Sequence, residues 1–134
     1  MFERINHVGI AVDELDAALA RYERQFGVEL LHREVLEGGT IDAALVRVGE
    51  VRLELVASRE PDSPLGRFLS KRGPGMHHIA YEVDDIEQAM AKLRARAVKL
   101  IDESPRPGIH GTRIAFLHPS SCLGVLTELV EPAS

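Results

Sequence analysis

One pattern is written twice in this chain, and that repetition limits its possible folds more than any other feature. Val8-Gly9-Ile10-Ala11-Val12-Asp13-Glu14-Leu15 resembles Ile79-Ala80-Tyr81-Glu82-Val83-Asp84-Asp85-Ile86. Each copy has the character of a short strand that runs into an acidic helix start. The helices repeat as well. Leu15, Ala18, Leu19, Tyr22 and Phe26 recur at three- and four-residue steps, and Ile86, Ala89, Met90, Leu93 and Ala97 follow the same steps. That spacing is one apolar stripe of a helix with about 3.6 residues per turn. Asp13 with Asp16, and Asp84 with Glu87, stand where an N-cap and its third helical residue would stand. Gly27 is placed to end the first helix.

Strand-like stretches follow each helix. The first half has Glu29–Val35, Thr40–Val48 and Val51–Ala57; the second has Val98–Asp102, Thr112–His118 and Gly124–Val130. The closing strands correspond, Leu53-Glu54-Leu55-Val56 against Thr127-Glu128-Leu129-Val130. The expected organisation is an α+β fold of paired βαβββ modules over 1–60 and 76–134. Residues 61–75 are expected to form a linker with one short helix, Leu65–Lys71, closed by Pro and Gly residues.

Composition narrows the partners. With 45% apolar residues the 134-residue chain can bury a core. A net charge of −5 without a large basic block disfavours nucleic acid but leaves small anions open. The charged N-terminus and the single Cys122 point to a cytoplasmic location, and no apolar run is long enough to span a membrane.

The repeat also aligns chemistry. His7 opens a strand in the first half and His78 opens its counterpart; Glu54 and Glu128 lie in matched closing strands between apolar neighbours. A lone strand histidine, or a lone mid-strand glutamate, is ordinarily structural or solvated. Two of each at matched positions suit a borderline divalent ion such as Co²⁺, Mn²⁺, Zn²⁺ or Ni²⁺. His77 competes with His78, but strand alternation sends the two to opposite faces, and it is His78 that aligns with His7. His32, His110 and His118 have no repeat counterpart and are assigned to structure or loops.

These residues carry a family resemblance. Ile5-Asn6-His7-Val8-Gly9-Ile10-Ala11-Val12 resembles the opening of vicinal-oxygen-chelate proteins, the glyoxalase superfamily. Pro64-Leu65-Gly66-Arg67-Phe68-Leu69, Gly75-Met76-His77-His78-Ile79-Ala80, Phe116-Leu117-His118-Pro119 and Gly124-Val125-Leu126-Thr127-Glu128-Leu129 narrow it to the methylmalonyl-CoA epimerase family. The resemblance implies a U-shaped mixed sheet around a divalent metal held by His7, Glu54, His78 and Glu128, an acyl-CoA thioester substrate, and commonly a homodimer. The implied reaction interconverts the 2R and 2S forms of methylmalonyl-CoA by removing and returning the α-proton through a stabilised enolate.

Inversion needs two proton-transfer groups, one for each face. Glu128 and Asp42 are the candidates; Asp42 stands where some relatives have a catalytic Glu, one methylene longer. Arg67, Lys71 and Arg72 are candidates for the CoA phosphates, although exposed helices commonly carry such residues. Two other functions share the scaffold: a glyoxalase I-like lyase or isomerase, and a non-enzymatic module that binds flat ligands. The second is disfavoured by an aromatic content of only 4%.

Overall fold

The repeated strand–helix openings set the order of the elements. In the structure, a computed structural model that describes residues 1–134, they run β1 (Arg4–Ala11), α1 (Leu15–Phe26), β2 (Glu29–Leu36), β3 (Ile41–Val48), β4 (Val51–Ser58), α2 (Pro64–Arg72), β5 (Gly75–Glu82), α3 (Ile86–Ala95), β6 (Arg106–Pro107), β7 (Arg113–Leu117) and β8 (Thr127–Glu131). This is an α+β chain in which strand–helix–three strands occurs twice, with α2 between. Contacts divide it into two units, Val8–His77 and Met1–His7 with His78–Ser134. Both divisions fall inside strands, β1 and β5.

In the unit Val8–His77 the strand order is β2-β3-β4-β1. β3 and β4 pair antiparallel with Ala44 opposite Leu55 and Leu45 opposite Glu54. Alternation then gives each face its own set. Ala44, Val46, Leu55 and Ala57 form one face and pack with Leu15 and Leu19 of α1. Glu54 falls on the other face. The N-cap of α1 is Glu14 rather than Asp13: its carboxylate accepts from Ala17 N at 3.1 Å. Gly27 ends the helix as expected, with φ 63° and its N–H donated to Glu23 O at 3.0 Å. The apolar stripe stops one turn early, because Phe26 is 64% exposed and only meets Tyr22 edge-on. The α2 helix is one residue longer at each end than expected. Ser63 caps it by accepting from Gly66 N, and Pro64 sits in its first turn. Gly66 has a steric reason: a Cβ there would lie 2.4 Å from Glu60 O.

In the other unit the order is β1-β5-β8-β7-β6. β5 and β8 run parallel, while β7 is antiparallel to β8, so the pairing is mixed. Ile86, Ala89, Met90 and Leu93 of α3 pack on Ala115, Leu117 and Leu129. The cap again sits one residue later than expected: Asp85, not Asp84, accepts from Gln88 N at 3.0 Å. Ala97 of the expected stripe lies beyond the helix with φ 64°.

Val98–Asp102 does not form the expected strand. It makes one bridge, Leu100 to Leu117, with backbone bonds Ile101 N to Phe116 O and His118 N to Lys99 O. Pro105 and Pro107 lack the N–H that a longer ladder needs, and β6 is correspondingly two residues long. Asp102 instead uses its side chain, accepting from Phe116 N at 2.8 Å. The last strand starts at Thr127 rather than Gly124, since Leu123 (φ 56°) and Gly124 (φ 88°) are spent on a turn.

Candidate metal site

Strand pairing inside the unit of Met1–His7 and His78–Ser134 builds a site from three residues far apart in sequence. Glu3 N donates to Glu82 O at 2.9 Å, and the Phe2 ring stacks on Tyr81 at 4.4 Å. Continued antiparallel, that contact brings His7 level with His78. On β5, alternation puts Ala80 on the face of His78; Ala80 pairs with Glu128, and Glu128 pairs with Phe116. The face so defined is the one turned from α3. Ala80 has little side chain, which leaves room for the imidazole and the carboxylate to meet.

They do meet. His7 Nε2 is 3.0 Å from His78 Nε2 and 2.9 Å from Glu128 Oε1. His78 Nε2 is 3.6 Å from the same oxygen. The two rings stand edge to face, their planes at 88°. All three residues are buried, with exposures of 2%, 5% and 3% for His7, His78 and Glu128. Despite the short approaches, Glu128 Oε1 has no partner with hydrogen-bond geometry. A buried carboxylate oxygen left in that state costs about 1–3 kcal/mol or more, so such an atom calls for a cation. Two imidazole nitrogens and a carboxylate oxygen aimed at one point are a donor set for a borderline divalent ion.

Glu54 lies in the other unit. It is 6% exposed and sits mid-β4, on the sheet face turned from α1. In each unit, then, the candidate ligands occupy the face that the helix does not cover.

Asp42 is placed differently. It pairs with Ala57 across β3 and β4, so alternation sets it on the α1 side of that hairpin, opposite to Glu54. Its carboxylate meets Arg59 Nη2 at 2.9 Å. His77 turns from His78, as alternation requires, and its ring meets Phe68 edge-on at 4.8 Å. His118 caps a short turn by accepting from Ser120 N, His32 contacts Glu34 at 2.9 Å, and His110 lies in a one-turn helix with φ 59°. Of the cations on α2, Arg67 binds the Asp62 carbonyl and Arg72 lies over the Phe68 ring.

Three residues that the repeat does not point to complete the surroundings. Asn6 Oδ1 lies 2.8 Å from His7 Nδ1, and Asn6 Nδ2 donates to Glu82 Oε1 at 3.0 Å. Phe116 meets His78 edge-on at 5.5 Å. Asn6 precedes a candidate ligand directly, which was the one available signal; its repeat counterpart is His77, so the alignment itself hides it.

A family model described as the Glyoxalase/Bleomycin resistance protein/Dioxygenase superfamily matches residues 6–116. The chain is 40% identical to the uncharacterized protein YqjC of Bacillus subtilis, over 96% of this chain and 92% of that protein. It is 38% identical to the mitochondrial methylmalonyl-CoA epimerase of Bos taurus, over 96% of this chain and 74% of the relative. Among solved structures, a variant methylmalonyl-CoA epimerase of Streptomyces coelicolor, in complex with 2-nitronate-propionyl-CoA, superposes with a TM-score of 0.96. That enzyme is 38% identical, and all of both chains is covered.

Proposed function

We propose, for a chain that belongs to the Glyoxalase/Bleomycin resistance protein/Dioxygenase superfamily and within it to the methylmalonyl-CoA epimerases, that it interconverts the 2R and 2S forms of methylmalonyl-CoA. The observation that carries this reading is the buried convergence of His7, His78 and Glu128, with Glu128 Oε1 left without a hydrogen bond. Binding of a CoA thioester is supported by the relatives: one solved structure is an epimerase in complex with methylmalonyl-CoA.

The residues present fit a divalent ion. His7, His78 and Glu128, all buried in one unit, are a donor set able to hold one, and the family resemblance adds Glu54 as a fourth ligand. We assign the ion to Co²⁺, Mn²⁺, Zn²⁺ or Ni²⁺, which accept mixed imidazole and carboxylate donors. When bound, such an ion supplies electrophilic stabilisation of the negative charge that develops on a carbonyl substrate.

The remaining work falls to the chain. The substrate's α-carbon lies between a thioester and a carboxylate, so its proton is acidic and epimerisation requires only its removal from one face and return on the other. Burial of the site excludes water, which strengthens each electrostatic contact made there. Glu128 is the carboxylate inside the site and is our candidate for proton transfer on one face; an ion on the same group lowers its strength as a base. Asp42 is the second candidate. It faces away from Glu54 and is held by Arg59, so its use requires that this ion pair open and the end of β3 turn.

A homodimer in the cytoplasm completes the proposal. Leu30 and Val35, about 40–45% exposed on the strand β2, offer apolar surface along a sheet edge for a second copy.

The test is solvent exchange. Protein loaded with Co²⁺ and given methylmalonyl-CoA in D₂O is expected to place deuterium at the α-carbon, and a chelator is expected to stop it. A fully loaded protein that leaves the α-proton in place would refute the reading.

A further inference from the structure

We infer that Asn6 is a positioning residue for His7, and that Glu82 and Arg4 hold Asn6 in the one orientation that serves. This rests on the reading of His7 as a metal ligand.

The side chains form an ordered series within one unit. Arg4 pairs with Glu82 through its guanidinium. Glu82 Oε1 is 3.0 Å from Asn6 Nδ2, and Asn6 Oδ1 is 2.8 Å from His7 Nδ1. Each link decides the next. An ionised carboxylate only accepts, so Asn6 must turn its NH₂ toward Glu82. That turns the Asn6 carbonyl toward His7. A carbonyl also only accepts, so the ring proton of His7 sits on Nδ1. Nε2 then presents its lone pair to the point shared with His78 Nε2 and Glu128 Oε1. Without the series, nothing in this set chooses between the two tautomers, and half of the choice is wrong for a metal held through Nε2.

Arg4 is exposed, with 62% of its side chain accessible, while Glu82 is 14% accessible. The series therefore runs from the surface of the protein to its buried centre along the start of β1. The second copy of the repeat has a different residue at the position of Asn6. The residue before His78 is His77, which turns to Phe68.

The test titrates the metal-free full chain with Zn²⁺ alone, by calorimetry. Asn6→Ala is expected to weaken Zn²⁺ binding by about 10- to 100-fold, the usual cost of losing such a partner, with the thermal midpoint of the metal-free protein unchanged. Asn6→Asp combined with Glu82→Gln reverses donor and acceptor at that contact while keeping an acceptor for Nδ1. It is expected to restore affinity to within about threefold, a rescue that a purely structural role would not predict. An Asn6→Ala protein that folds and binds Zn²⁺ like the parent would overturn the inference.

If the parent itself takes up no Zn²⁺, the metal reading fails instead. The positioning claim is then decided by ¹⁵N spectra of His7 in the metal-free protein: a proton on Nδ1 upholds it, and a proton on Nε2 alone overturns it.

Discussion

His7 and His78 hold the same place in the two copies of the repeat, yet the protein supports them by different means. Behind His7 stands a directional chain of polar groups, Asn6, Glu82 and Arg4. Beside His78 stands the edge of the Phe116 ring, and that ring is backed by Arg106, 5.4 Å from its centroid and itself tied to Asp102. Duplication thus reproduced where the imidazoles lie, with Asn6 before one and His77 before the other. Backbone pairing places a ligand to within a strand position. Hydrogen bonds and ring packing, which differ between the copies, set its orientation, and they do so with different sensitivities. A hydrogen bond selects a tautomer; a ring edge selects a ring angle.

The strongest way to break this comparison is at the ligands themselves. Glu128→Gln and His7→Ala should each lower α-proton exchange by at least about 100-fold, beyond the cost of losing an outer partner. Each should also erase the rise in thermal midpoint that added Zn²⁺ gives the parent, a rise equivalent to about 2.7 kcal/mol at one hundred times the dissociation constant. Retention of that rise in both variants would remove the two residues from the site.

A sharper contrast comes from the supports. Asn6→Ala should cost metal affinity and spare stability, whereas Phe116→Leu should destabilise the fold by about 1 kcal/mol, the order of a lost aromatic pair plus some packing, and weaken Zn²⁺ binding only a few-fold. Calorimetry and chemical denaturation on both proteins would show it; a reversed pattern would mean that orientation is set by packing at both histidines.

Asp42→Asn should reduce epimerisation by about 10²–10⁴-fold, the worth of a general acid–base group, and a loss under about tenfold would leave Asp42 in its Arg59 pair and out of the reaction. A loss as large as that of Glu128→Gln would show that β3 turns when substrate binds. The smallest effects belong to the helix starts. Glu14→Ala and Asp85→Ala should each cost about 1 kcal/mol in urea unfolding, and nearly the same as each other, since both cap by the same contact three residues on.

Much of this was legible from the repeat. Apolar period and acidic starts located the helices, and the matched His and Glu positions named the four candidate ligands, of which three converge inside one unit. Where the reading slipped, local chemistry decided. Adjacent acidic residues at Asp13-Glu14 and Asp84-Asp85 left the cap ambiguous by one position, and the side-chain oxygen that reaches the amide three residues later won in both copies. Val98–Asp102 has strand-forming residues, but the prolines that follow deny it a ladder. Asp42 keeps its proposed role only through a turn of β3, because the pairing register, which spacing in the sequence does not give, sets its face. Asn6 and Phe116 act through distances between strands that no spacing in the sequence reveals.

The division of β1 between His7 and Val8 has a consequence for how the chain comes to life on a ribosome. Residues 1–7 are made before the strand they pair with, β5, which lies beyond all of β2–β4 and α2. Met1–His7 must therefore wait, strand edge open, until Gly75–Glu82 has been made. A cut at the linker would leave neither piece whole: the downstream fragment would lack one of its imidazoles, and the upstream one would carry a stub with nothing to pair.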